Sequence, residues 1–204
     1  MIVKTSKLRW LIGCEESGTV RDAFRARGLA AYSCDILGSR GDSAYHITGD
    51  IFKAIRQRGP WEGMICFPPC THVAVSGARW WPSKLVRQRE ALEFMRDLLE
   101  APIERIAMEN PIGCFSTYWR KPDQIIQPWQ FGHGETKATC LWLKNLPKLL
   151  PTNIVAGREA RVHRMPPGPN RARDRSKTFQ GIAEAMAEQW GLSEEALTAH
   201  EGPA

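Results

Sequence analysis

The sequence predicts an α/β protein built on one doubly wound, mostly parallel sheet with an antiparallel hairpin at its edge. Two short apolar runs, Met64 to Phe67 and Ile106 to Met108, are followed by prolines (Pro68-Pro69 and Pro111) that cannot donate to a ladder and so end a strand. From Leu8 to Asp35 a strand, a glycine-containing turn, a helix and a second strand ending in an acid follow one another, the order of the nucleotide-binding half of such a sheet. Further on, the runs Gln124 to Phe131 and Ala138 to Leu143 flank the turn Gly132 to Lys137 and read as a hairpin.

Taken in order, Leu8 to Gly13 is the first strand, and Cys14-Glu15-Glu16-Ser17-Gly18 turns into a helix over Thr19 to Arg27 that Gly28 ends. The second strand, Leu29 to Asp35, closes on a carboxylate suited to ribose hydroxyls. Asp50 heads a helix from Ile51 to Arg58, where it serves as an N-cap, a ligand contact, or both. After the Met64 strand and Cys70, a stretch of small residues with Arg79, Trp80 and Trp81 leads to a helix over Ser83 to Glu100, with Leu85, Ala91, Leu92, Met95, Leu98 and Leu99 on one face. The tryptophans either pack under that helix or sit in a loop that meets a ligand. From Asn153 to Lys177 periodicity gives way to Gly, Pro and Arg, and a loop or partly ordered arm is expected. Phe179 to Trp190 is a helix turning Ile182, Ala185, Met186 and Trp190 to the core; a short helix and a disordered end follow Gly191.

The 204 residues suit one catalytic domain over 1–204, with the basic segment 153–177 as a loop on it. Six scattered cysteines lack the close spacing of a secreted disulfide scaffold, so a reduced, intracellular, cytoplasmic protein is expected. No run approaches about 18 apolar residues, which argues against a membrane partner. The formal net charge of +6 is unevenly spread: Pro151 to Gln180 holds six arginines and Lys177 against Glu159 and Asp174. Such a segment suits a polyanion, most simply nucleic acid, although a solvated face has the same composition.

The chemistry concentrates at two strand exits. Phe67-Pro68-Pro69-Cys70 brings a thiol, and Met108-Glu109-Asn110 a carboxylate, to the carboxyl ends of two strands, where open parallel sheets bind ligands. In this order, about forty residues apart, these motifs resemble the two catalytic motifs of the cytosine-C5 DNA methyltransferases. The resemblance covers roughly Leu8 to Trp190 and implies the Rossmann-like sheet of the class I S-adenosylmethionine-dependent methyltransferases, with S-adenosylmethionine as cofactor. It implies that Cys70 attacks carbon 6 of cytosine and that Glu109 hydrogen-bonds or protonates ring nitrogen 3. Cys14, Glu15 and Gly18, standing in place of the family's glycine-rich turn, together with Asp35, Ile36, Asp50, Ile51, Pro68 and Ile182, are the implied cofactor contacts. Arg79 falls in the family's mobile loop. Lys137 stands where a Gln-x-Arg-x-Arg pattern touches the base, and Arg171, Arg173 and Arg175 lie where a target-recognition domain is normally inserted. Lack of that domain resembles the small versions carried by bacteriophages and prophages. It implies DNA, single-stranded or distorted, as the partner, or a helper protein for target recognition.

Two other readings keep the same residues. Modification of a free nucleotide or of RNA uses the same chemistry, and a catalytically silent nucleic-acid-binding relative would keep only the pocket. A zinc site at Cys66, Cys70 and His72 lacks the second ligand pair such sites show, so no metal is expected.

Overall fold

In a computed structural model of the chain, residues 9–191 are described. Seven strands pair in the order β3-β2-β1-β4-β5-β7-β6. They are β1 (Arg9–Gly13), β2 (Ala30–Asp35), β3 (His46–Thr48), β4 (Gly63–Cys66), β5 (Arg105–Pro111), β6 (Gln124–Ile126) and β7 (Thr139–Lys144). The first five are parallel, while β7 runs antiparallel to both β5 and β6. This is the expected Rossmann-like, doubly wound sheet with an antiparallel pair at its edge.

Period-two alternation sends side chains to two cores, one on each face of the sheet. Leu11, Met64, Cys66, Ile106, Met108 and Trp142 point into a cluster closed by α2 (Ile51–Arg58) and α3 (Leu85–Leu99). Trp10, Ile12, Ile65, Ala107 and Leu141 point into the other, closed by α1 (Thr19–Ala26) and α7 (Gln180–Trp190). α7 buries Ile182, Ala185, Met186 and Trp190, as its spacing predicts. Its first turn lies so close to the hairpin that a Cβ on Gly181 would stand 1.9 Å from the Phe131 carbonyl oxygen.

Several boundaries differ from the sequence expectation. α3 starts at Leu85, and Leu85 is 64% exposed rather than on the core face, because a nine-residue 3₁₀ helix, Val75–Ser83, and Lys84 precede it. The strand expected over Gln124 to Phe131 stops at Ile126, since Pro128 opens a 3₁₀ turn capped reciprocally by Gln127 and Gln130. The strand β3 carries no run long enough to be read from sequence; it forms because Ser33 to Asp35 offers a ladder to His46 to Thr48. The arm 153–177 holds two short helices, α5 (Arg161–Arg164) and α6 (Arg171–Ser176), after a four-residue α4 (Phe115–Tyr118) earlier in the chain. Single bridges of Phe131 to Asn153 and of Glu135 to Glu159 pin the arm's start to the hairpin turn. The short helix and disordered end expected beyond Gly191 lie outside the described residues.

Candidate active site

The strand order reverses direction between β1 and β4, and open α/β sheets bind ligands at the carboxyl ends beside that switch point. Register fixes which residues meet there. Gly13 pairs with Cys34 on one side and Cys66 on the other, and Cys66 pairs with Met108. Cys14, Asp35, the Phe67–Cys70 turn and Glu109 therefore leave the sheet along one edge. The structure thus brings together both catalytic candidates and the ribose candidate.

One side chain joins the thiol-bearing turn to the acid-bearing turn. Asn110, 2% exposed, donates from Nδ2 to the Pro68 carbonyl at 2.8 Å, so the turn after β5 holds the turn after β4. The Pro68 ring is itself buried, and what it offers is this carbonyl and a fixed backbone. Cys70 then closes its own turn, its carbonyl accepting from the amides of Val73 (3.1 Å) and Ala74 (3.0 Å). A bridge between Ala74 and Gly113 ties the far side of that turn to the β5 exit, where a Cβ on Gly113 would lie 2.3 Å from the Val73 oxygen. Glycine is required there by close approach.

Burial pushes the Cys70 thiol up from its ordinary pKa, and the nearby Glu109 charge adds to the rise; Lys137 and Arg175 oppose it. Glu109 is also raised, by desolvation first, against Lys137 and a hydrogen bond with Thr139. Lys137 therefore acts on both groups, and Arg175 brings a charge from the arm to the thiol. The Thr139 hydroxyl donates to the Lys137 carbonyl at 3.0 Å, and Lys137 N–H donates to the Gln127 side chain at 2.9 Å, which together fix the backbone of that lysine. Thr139 carried no signal in the sequence; only the pairing of Pro111 with Thr139 puts it beside the acid.

The other half of the edge suits a nucleoside. Asp35 is half-buried and uses Oδ1 on the Leu37 amide at 2.9 Å, while Ile36 beside it is 79% exposed, a carboxylate next to an apolar surface. Asp50 caps α2, accepting from the Lys53 amide at 2.8 Å, and its side chain remains exposed. Ile51 is buried, and its Cδ1 would lie 2.9 Å from a Cβ on Gly13, so it closes the floor under the end of β1. Cys14 holds a left-handed backbone at φ 57, and burial, with Asp35, Cys34 and Asp50 nearby, pushes its thiol up to about 12. It stays a neutral thiol at physiological pH. Gly18 is left-handed at φ 74, and a Cβ there would meet the Arg21 guanidinium at 2.4 Å.

Glu15 has a structural use. Its side chain, 5% exposed, accepts from the amides of Val20 (2.7 Å) and Arg21 (3.4 Å) and from the Ser17 hydroxyl (3.3 Å). It caps α1 from inside, with burial raising its pKa to about 7 against those donors. Ile182 is 3% exposed in the α7 core cluster, so its contribution is to the wall behind the site.

The nucleic-acid candidates divide. Arg79 is exposed. Arg173 lies 3.4 Å from the Glu16 carboxylate, which also pairs with Arg40, so the arm docks on the β1–α1 turn. Arg171 donates to the Met165 carbonyl at 2.8 Å and braces the arm internally. Arg175 lines a cleft of about 460 Å³ between the arm, Thr19 and the start of α7. A separate cleft bounded by Pro82 to Arg87 lies on the segment leading into α3.

Sequence reading also missed Arg21. Fully buried, it donates to the hydroxyls of Ser33 (3.0 Å) and Ser39 (3.2 Å) and pairs with Asp22. Ser33 bonds His46 Nδ1 at 2.8 Å, and His46 Nε2 lies 2.8 Å from the Leu37 carbonyl, so this chain of groups shapes the loop after Asp35. Its partners come from three separate segments, and no sequence spacing could reveal them. All six cysteines are free. Among the described residues no helix is long and apolar enough to cross a membrane. No group of three or more metal-ligating His, Cys, Asp or Glu side chains is gathered among them either.

No family model and no curated protein matches the chain. Solved structures do resemble it. A putative DNA modification methyltransferase encoded within a prophage of E. coli matches at 14% identity and a TM-score of 0.47, over 72% of this chain and 52% of that one. The Dnmt2 methyltransferase of S. pombe matches at 15% and 0.45, over 76% and 53%. A mutant DNMT2 of Spodoptera frugiperda matches at 12% and 0.39, over 72% and 54%. The chain spans about half the length of each.

Proposed function

We propose that the chain transfers a methyl group from S-adenosylmethionine to carbon 5 of cytosine in DNA through a covalent Cys70 adduct. The observation that carries this is the Asn110–Pro68 bond, which locks a thiol-bearing turn to an acid-bearing turn beside a carboxylate and an exposed apolar surface fit for a nucleoside. Asp35 would hold the ribose and Ile36 the adenine face, over a floor made by Ile51. S-adenosylmethionine supplies an electrophilic methyl carbon.

The chain's own residues do the rest. The Cys70 thiolate forms a bond to carbon 6, and the ring π electrons it displaces make carbon 5 an enamine carbon. Glu109 donates to ring nitrogen 3, where negative charge develops. Carbon 5 takes the methyl group, its proton leaves to a general base, and the electrons of that carbon–hydrogen bond re-form the ring double bond as the carbon–sulfur bond breaks. Lys137 steadies the field at both groups.

Incubation with labelled S-adenosylmethionine and DNA, RNA or dCMP in parallel tests the reading. Label is expected in DNA, more in single strands than in duplex, because nothing in the arm is large enough to force a base out of the stack. Label only in RNA or dCMP would move the substrate; label in none would leave a binding protein. Asp35→Ala is expected to weaken cofactor binding by roughly 1.5–3 kcal/mol, the scale of charge-assisted hydrogen bonds lost. Titration calorimetry reads it, and an unchanged Kd would put the nucleoside elsewhere.

A further inference from the structure

The segment that leaves the Cys70 turn presents a surface the fold does not need. Val75–Ser83 is a nine-residue 3₁₀ helix with no buried residue. Such helices usually run three or four residues, so this one is poorly supported by its own hydrogen bonds. Trp80 is 53% exposed, followed by Leu85 at 64% and Val86 at 73%. Neither Trp80 nor Trp81 belongs to either core cluster, whereas Trp10, Trp142 and Trp190 are fully buried. From Val75 to Arg89 the chain carries Arg79, Lys84, Arg87 and Arg89 and no carboxylate. The Arg79 guanidinium carbon sits 4.9 Å from the centre of the Trp80 ring.

We infer that this segment is a stacking platform for a single nucleic-acid strand, with Trp80 taking the face of one base and the cations following the backbone. It rests on the reading that the site acts on nucleic acid and adds where and in what form the strand lies. An exposed indole offers a π surface that any unpaired base can cover, whereas bases in a duplex are covered by their neighbours. Four cations without an acid supply the complementary charge. The platform is also fastened to the catalytic turn: the Ala74 amide donates to the Cys70 carbonyl, and Gln88 Nε2 donates to the His72 carbonyl at 3.1 Å. A base stacked on Trp80 therefore belongs to the strand that feeds the Cys70 site.

The test is binding of a fluorescein-labelled 12-nucleotide single strand by the full chain, in a salt series, with the matched duplex and phosphatidylserine vesicles alongside. Trp80→Ala is expected to weaken strand binding about tenfold or more while leaving the salt slope unchanged, and Trp80→Phe is expected to restore most of it. Lys84→Gln with Arg87→Gln is expected to lower the single-strand salt slope by about 1.4, roughly 0.7 for each cation removed. Trp80→Ala binding the strand as tightly as the wild type overturns the platform. So does equal binding of duplex and strand, or Trp80-dependent binding of vesicles with none of the strand. Loss of strand binding in Trp80→Ala, with no methyl transfer by the wild type, would keep the platform and sink the methyltransferase reading alone.

Discussion

Cys70→Ser is expected to abolish methyl transfer while leaving cofactor binding intact. The proposed reaction requires a nucleophile strong enough to break the aromaticity of cytosine, and an alcohol near neutral pH is far weaker than a thiolate. Cofactor binding should survive because the nucleoside candidates, Asp35 and Ile36, leave β2, whereas Cys70 leaves β4 on the other side of β1. The turn should survive as well, since the hydrogen bonds that tie it to its neighbours use the Cys70 carbonyl and the Pro68 carbonyl. A companion experiment uses 5-fluorocytosine in the acceptor strand. Fluorine cannot leave as a proton, so wild-type protein should be trapped as a covalent adduct that Cys70→Ser does not form. Methylation without any adduct would remove Cys70 from the mechanism. Cys14, Cys34 and Cys66 make poor substitutes, because burial raises their thiols further and leaves them protonated.

The sheet was legible because its strands obey simple punctuation. Pro68-Pro69 and Pro111 ended β4 and β5 where a missing donor must end them, and α7 showed its buried face at helical spacing. Register carried the two candidate residues as well: once β4 and β5 are parallel neighbours, Cys70 and Glu109 have to leave on one edge. What stayed hidden were contacts whose partners are remote in sequence. The Asn110–Pro68 bond spans 42 positions, and Arg21 meets Ser33 and Ser39 only after β2 has folded over α1. Glu15 lay in a turn that looked ligand-facing, yet its carboxylate turned inward because the first amides of α1 needed an acceptor and Gly18, the N-cap residue, has no side chain to offer one. Leu85 misled in the opposite sense: an apolar residue at helical spacing suggests a core, and only the exposed 3₁₀ segment before it shows that the core does not reach it, while for Trp80, which the sequence left open between core and loop, the structure shows the exposed alternative.

Glu109→Gln is expected to lower the rate on the order of 10²-fold or more, the usual scale for an acid or a preorganised donor at a developing charge. The amide still fits the strand exit, and cofactor affinity should hardly change. The pH profile separates a proton donor from a structural acid. The proposed mechanism needs Cys70 as thiolate and Glu109 protonated, and both groups are raised from their ordinary values. Below the Glu109 pKa the acid is fully protonated and the rate climbs with pH as thiolate forms. Above it, loss of the acid offsets the gain in thiolate and the rate levels. Above the Cys70 pKa the thiolate no longer increases and the rate falls. Glu109→Gln removes the titrating acid, so its lower rate should keep rising through the wild-type plateau and level only when the thiol has ionised. That thiol should also ionise at lower pH, because the Glu109 charge is one of the two effects that raise it. A near-normal rate, or a reduced rate with the wild-type plateau intact, would leave Glu109 as a structural partner of Thr139 and Lys137.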